Sequence, residues 1–120
     1  MQKLAIAALL AAFLVAVSVA LGATSLKVSA SPCCPAFTKK ALSAPAGKIT
    51  IVMANPAIFP RNVAVRAGTT AGSKLIASGK VVTKGGTSTV TVTLKKGKYR
   101  FVCTVPGHEA DGMWGILTVK

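Results

Sequence analysis

The sequence predicts an all-β domain, an antiparallel β-sandwich or barrel that follows an apolar export segment. Three observations predict it. Short runs after residue 30 place apolar residues with a period of two. Clusters of turn-forming residues separate those runs at regular spacing: Asn55-Pro56, Phe59-Pro60, Gly85-Gly86 and Lys95-Lys96-Gly97. No segment after residue 30 sustains a helical period.

The N-terminus reads as an address. Met1-Gln2-Lys3 is a short positive start, and residues 4–17 are an unbroken apolar run. Ser18 alone interrupts it before Leu21. That is the layout of a secretory signal. Small-x-small sites for cleavage occur at Val28-Ser29-Ala30 and, earlier, at Ala20-Leu21-Gly22. Residues 4–21 also reach the length of a membrane span, so an uncleaved anchor is the rival, with that stretch as the tether. Leu21-Gly22-Ala23 resembles the start of a lipoprotein box, but Thr24 stands where the lipid-bearing Cys would be. Either route exports the rest of the chain to the periplasm, the cell surface or the medium, where thiols are paired, metal-bound or buried.

Residues 31–47, rich in Pro, Ala and Ser, read as a linker or irregular N-terminal edge, and residues 48–120 as the domain. In residues 48–53, Ile49, Ile51 and Met53 share a face. Val63 and Val65 alternate with Ala64 and Arg66. Residues 87–94 give the clearest alternation, with Val90, Val92 and Leu94 on one side and Thr89, Thr91 and Thr93 on the other. Tyr99, Phe101 and Cys103 oppose Arg100 and Val102, and Leu117 with Val119 make a final short strand.

Composition narrows function. The chain carries 15 Lys+Arg against 2 Asp+Glu, a net charge of +13. Two acids and a single His leave little for acid–base catalysis, so an enzyme is not expected. The basic field favours an acidic partner or an anionic surface. Nucleic acid is not expected, because the chain is exported and its lysines are spread singly rather than clustered with aromatics.

The chemistry sits near the C-terminus. A strand ends at Cys103, a Pro106-Gly107 turn carries His108, and Gly112 precedes Met113. Thiolate, imidazole and thioether thus come from one strand–loop–strand unit. Each residue alone is ordinarily packing or surface. Together, soft sulfur plus imidazole suits copper that cycles between Cu(I) and Cu(II).

Tyr99-x-Phe101-x-Cys103, then Pro106-Gly107-His108, then Gly112-Met113-x-Gly115 resembles the copper loop of the cupredoxins, the plastocyanin-like blue (type 1) copper proteins, in its Cys-x₄-His-x₄-Met form. Residues 55–65 are similar to the family's Asn-x-x-x-x-Pro-His-Asn segment, and residues 85–94 to its long strand before the loop. The resemblance implies a Greek-key β-sandwich, one copper ion and one-electron transfer between exported redox partners. Carried over by position, Cys103 would be the thiolate ligand, His108 an equatorial imidazole and Met113 the weak axial ligand. Asn62 would brace the copper loop from outside the ligand set.

One position departs. Arg61 stands where the family has a second imidazole, and the single His is already placed at 108. A guanidinium is permanently charged and cannot ligate a cation. Three outcomes are open. Arg61 swings outward and leaves a three-ligand site, copper binds without the two-nitrogen geometry, or the site holds no metal. The corresponding functions are an electron carrier, a copper-binding or delivery protein, and a metal-free interaction module. Cys33-Cys34, between Pro32 and Pro35, can form a vicinal disulfide, link two chains or hold a soft metal ion.

Overall fold

The computed structural model describes residues 22–120. The apolar stretch of residues 4–21, with the choice between leader and anchor, lies outside them. Among the described residues no helix is long and apolar enough to cross a membrane.

Eight strands form: β1 (Thr24–Ser29), β2 (Ala41–Ala44), β3 (Gly47–Ala54), β4 (Ala64–Arg66), β5 (Leu75–Ser78), β6 (Thr87–Leu94), β7 (Gly97–Val102) and β8 (Trp114–Val119). They build two sheets, β1-β3-β6 and β2-β8-β7-β4-β5. The chain crosses between sheets at every connection except β4–β5 and β7–β8, which is the all-β sandwich expected from the alternation.

Side-chain alternation explains the core. Ile49, Ile51 and Met53 of β3 are fully buried. Across the ladder Ile51 faces Val90 and Ile49 faces Val92 of β6. On the outer face Thr50 and Thr91 share a hydroxyl hydrogen bond of 3.0 Å. The opposite sheet contributes Val65, Phe101, Leu117 and Val119. Phe101 packs on Phe37, ring centroids 5.1 Å apart. It also lies opposite Gly115. A Cβ on Gly115 would run into the Phe101 ring and lie 2.7 Å from the Lys40 carbonyl. That glycine admits the ring two residues before Cys103.

The strands begin earlier than the boundary at Lys48. β1 lies within residues 1–30, and β2 within the proposed linker of residues 31–47. Both add in parallel, β1 to β3 and β2 to β8, so each sheet is mixed, where the sequence suggested antiparallel pairing throughout. Val28 and Ala30 are core residues. Their signal was hidden because Val28-Ser29-Ala30 reads as a small-x-small cleavage site at the end of a leader.

Cleavage after Ala30 would remove β1 with its buried Val28, and the buried Ala30 that follows it. A chain starting at Ser31 is therefore expected to melt more than about 10 °C below one starting at Ala23, since burying an aliphatic side chain is worth about 1.5–3 kcal/mol. Thermal unfolding followed by circular dichroism checks this. Equal melting temperatures would contradict the role given to β1.

Candidate metal centre

Cys103 follows directly on β7 and is 1% exposed. Its N–H donates to the Met113 carbonyl at 3.1 Å, which closes the intervening loop at its base. Within the loop, His108 N–H donates to Val105 at 3.0 Å and Met113 N–H to the His108 carbonyl at 2.9 Å. Gly107 (φ 83°) and Gly112 (φ 114°) supply two backbone conformations that side-chain-bearing residues rarely adopt. The Pro-Gly-His and Gly-Met spacings are thus conditions for folding the loop back on itself.

The loop brings its donors together. Cys103 Sγ lies 3.5 Å from His108 Nδ1. Met113 is fully buried beside them. Two donors that share one ion at ordinary bond lengths of about 2.3 Å for sulfur and 2.0 Å for imidazole stand about this far apart.

Asn62 braces the strand side of the loop. Its Oδ1 accepts the Thr104 N–H at 2.7 Å, and its Nδ2 donates to Thr104 Oγ1 at 2.8 Å and to the Gly79 carbonyl at 3.1 Å. The residue after Cys103 is therefore held on both its backbone and its side chain.

Arg61 points inward and is 1% exposed. Its backbone is fixed by a two-way bridge to Val82, at 3.0 and 2.8 Å. The preceding turn is tied by Asn55 Nδ2, which donates to the Phe59 and Val82 carbonyls at 2.9 and 2.8 Å. From that anchor the Nη1 donates to His108 Nδ1 at 3.2 Å and to Met113 Sδ at 3.9 Å. Since a guanidinium only donates, Nδ1 accepts, and the imidazole proton sits on Nε2. Burial first and the Arg61 charge second hold His108 below the usual imidazole range, with Asp111 pulling the other way. His108 is neutral at pH 7, its Nδ1 lone pair turned to the centre of the site.

The residues present fit a soft ion in part. Cys103 Sγ and His108 Nδ1 meet directly, and Met113 Sδ reaches the same Arg61 Nη1 as the imidazole, a group of thiol, imidazole and thioether whose donor types suit copper. The fourth corner does not fit, because a cationic group sits there that cannot ligate. Its Nε is buried with no hydrogen-bond partner among the described residues. The outward-swung side chain is thus not the conformation adopted.

Two features were missed by the sequence reading. Glu109 accepts from Arg66 at 2.6 and 3.2 Å and pairs with Arg100 at 2.9 Å. It clamps the loop beside His108 to β4 and β7. Arg100 is covered because Trp114 stacks on it at 3.9 Å. Of the three alternatives for Cys33 and Cys34, the structure has the vicinal disulfide, and Cys33 lines a cleft of about 260 Å³ with Pro35, Phe59, Arg61, His108 and Asp111. A chain with only two acids among so many bases is one signal that an acid finds cationic partners, as Glu109 does.

A β-sandwich that carries Cys, His and Met on one interstrand loop has the donor types of a soft-metal site. The sequence model of the copper binding proteins, plastocyanin/azurin family, matches residues 24–120, and the chain belongs to that family. Its members are non-enzymatic copper proteins, so the chain is not an enzyme. Among solved structures it is similar to a dithionite-reduced auracyanin from Roseiflexus castenholzii, with 28% identity, a TM-score of 0.73, and coverage of 81% of this chain and 97% of that one. It is likewise similar to auracyanin A, a "blue" copper protein from Chloroflexus aurantiacus, with 26% identity, a TM-score of 0.72, and coverage of 82% and 100%. An azurin from Methylomonas sp. strain J, at 19% identity and a TM-score of 0.65 over 81% of this chain and 98% of that one, shares the fold. No curated protein sequence matches the chain.

Asn62→Ala strips the Thr104 N–H of its acceptor in a buried setting. Chemical denaturation is expected to show a loss of about 1–3 kcal/mol. A loss below about 0.5 kcal/mol, the scale of surface changes, would contradict the bracing role.

Proposed function

We propose that this chain is an exported electron carrier that binds one copper ion through Cys103, His108 and Met113. The observation that carries this reading is the 3.5 Å approach of the thiol sulfur to the imidazole Nδ1, with the Met113 thioether within reach of the same guanidinium nitrogen. Copper, when bound, supplies a one-electron couple between Cu(I) and Cu(II). The chain's own residues supply a rigid frame. Backbone hydrogen bonds close the loop at Cys103 and Met113, Asn62 pins Thr104, and Glu109 ties the loop to two strands. A frame held at so many points changes little when charge at its centre changes, which suits electron transfer.

Export is part of the proposal. Cleavage near Ala20-Leu21-Gly22 would leave β1 whole, whereas cleavage after Ala30 would not. Retention of residues 4–21 as a tether would also leave it whole. The net charge of +13 suits an acidic redox protein or an acidic face of a membrane-bound oxidoreductase.

A second reading is favoured by one observation. The site has a single imidazole, and a buried guanidinium contacts it. A sulfur-rich set with one nitrogen prefers Cu(I) and suits holding or delivering the ion.

Titration of the purified protein with Cu(II), followed by absorption spectroscopy, separates the two. The electron-carrier reading expects a visible thiolate charge-transfer band at one equivalent that Cys103→Ser removes. Tight Cu(I) uptake without such a band would favour delivery. Uptake of neither ion would contradict both.

A further inference from the structure

The side chain at the fourth corner is placed to do more than obstruct. Its Nη1 meets His108 Nδ1 at 3.2 Å and Met113 Sδ at 3.9 Å. The neutral imidazole has one lone pair at Nδ1. A metal ion and a guanidinium hydrogen both need it, so the two are mutually exclusive at that atom. Like charge in a buried setting adds to the exclusion.

The guanidinium is also weakly held. The ion pairs among the described residues join Arg66 and Arg100 to Glu109, and none involves Arg61. Its Nε has no partner there. Phe59 lies under its edge at 5.8 Å. A buried cation without a carboxylate is costly to keep. A better place lies next to it. The cleft of about 260 Å³ that Arg61 borders is lined also by Asp111, Cys33, Pro35 and the half-exposed Phe59. In that cleft the guanidinium would meet a carboxylate, an aromatic face and solvent.

We propose that Arg61 is an internal competitor for the metal position: its guanidinium and a copper ion exchange places, with Arg61 moving into the cleft toward Asp111 as the ion binds and returning as it leaves. This rests on the assignment of Cys103, His108 and Met113 as the metal donors. It makes Arg61 a positioning residue that sets how readily the ion is released. Losing one charge-assisted hydrogen bond on entry of the ion corresponds to a loss of roughly 10- to 100-fold in affinity.

The test uses the full chain stripped with a chelator and titrated with Cu(I) against a chromophoric competitor. Arg61→Leu keeps an apolar filling without charge and is expected to bind Cu(I) about 10- to 100-fold more tightly and to release it more slowly. Arg61→Lys keeps the charge and is expected to stay within a few-fold of the parent. If Arg61→Leu binds Cu(I) no more tightly than a parent that does bind it, the competitor role is overturned while the copper site stands. If neither protein binds Cu(I), the donor assignment fails and the competitor role with it.

A measurement on the parent protein guards against a variant that does not fold. The guanidinium protons of Arg61, followed by NMR, are expected to exchange slowly before Cu(I) is added and quickly afterwards. Continued protection with Cu(I) bound would overturn the exchange of places.

Discussion

The hydrogen bond from Arg61 to His108 Nδ1 is the contact on which the site turns. It directs the imidazole lone pair inward, fixes the tautomer and brings a permanent positive charge within reach of the Met113 thioether. Everything around it serves to hold that point in place. The loop is closed at its base by Cys103 and Met113, and two glycines let it turn back on itself. Glu109 ties it to β4 and β7 through two arginines. The guanidinium therefore stands between the His108 imidazole, which the Cys103 thiol also touches, and the Met113 thioether, and the chemistry of the site depends on whether it stays.

Much of this was legible in the chain. The alternation of β3, β6 and β7 marks strands with one face in the core, and the spacing of Cys103, His108 and Met113 places three donors on one loop. Both follow from local rules, period two in a sheet and turn chemistry at Gly and Pro. What was not legible depends on long-range contacts. β1 runs into Val28-Ser29-Ala30, which reads as the cleavage site of a leader. β2 is four residues of small and apolar side chains after a Pro-rich stretch, and β5 lies at a sheet edge where most of its side chains are solvent-facing. The inward turn of Arg61 is a rotamer choice made by the Val82 bridge and the Asn55 turn, residues that no local pattern connects to it. The partners of Glu109 come from two strands that meet only in the folded sheet.

Family and fold are shared with the auracyanins, but fold alone does not settle chemistry. The scaffold carries the brace, the loop and the Cys103, His108 and Met113 side chains, while Arg61 puts a cation where the family resemblance implies a second imidazole. The difference between a second imidazole and a guanidinium is the difference between completing a coordination shell and competing for it. The vicinal disulfide at the rim of the same cleft adds sulfur close to the path by which Arg61 would move. Scaffold and site thus vary separately here, with the sandwich unchanged and one corner rewritten.

The central claim is that Cys103, His108 and Met113 converge on a point that Arg61 now shares. Arg61→His tests it most directly, because it returns a neutral nitrogen to the fourth corner without touching the other three donors. Absorption spectroscopy after addition of Cu(II) is predicted to show an intense visible thiolate band at one equivalent, stronger than any in the parent. A folded Arg61→His protein that takes up no copper, or takes it up without that band, would contradict the convergence.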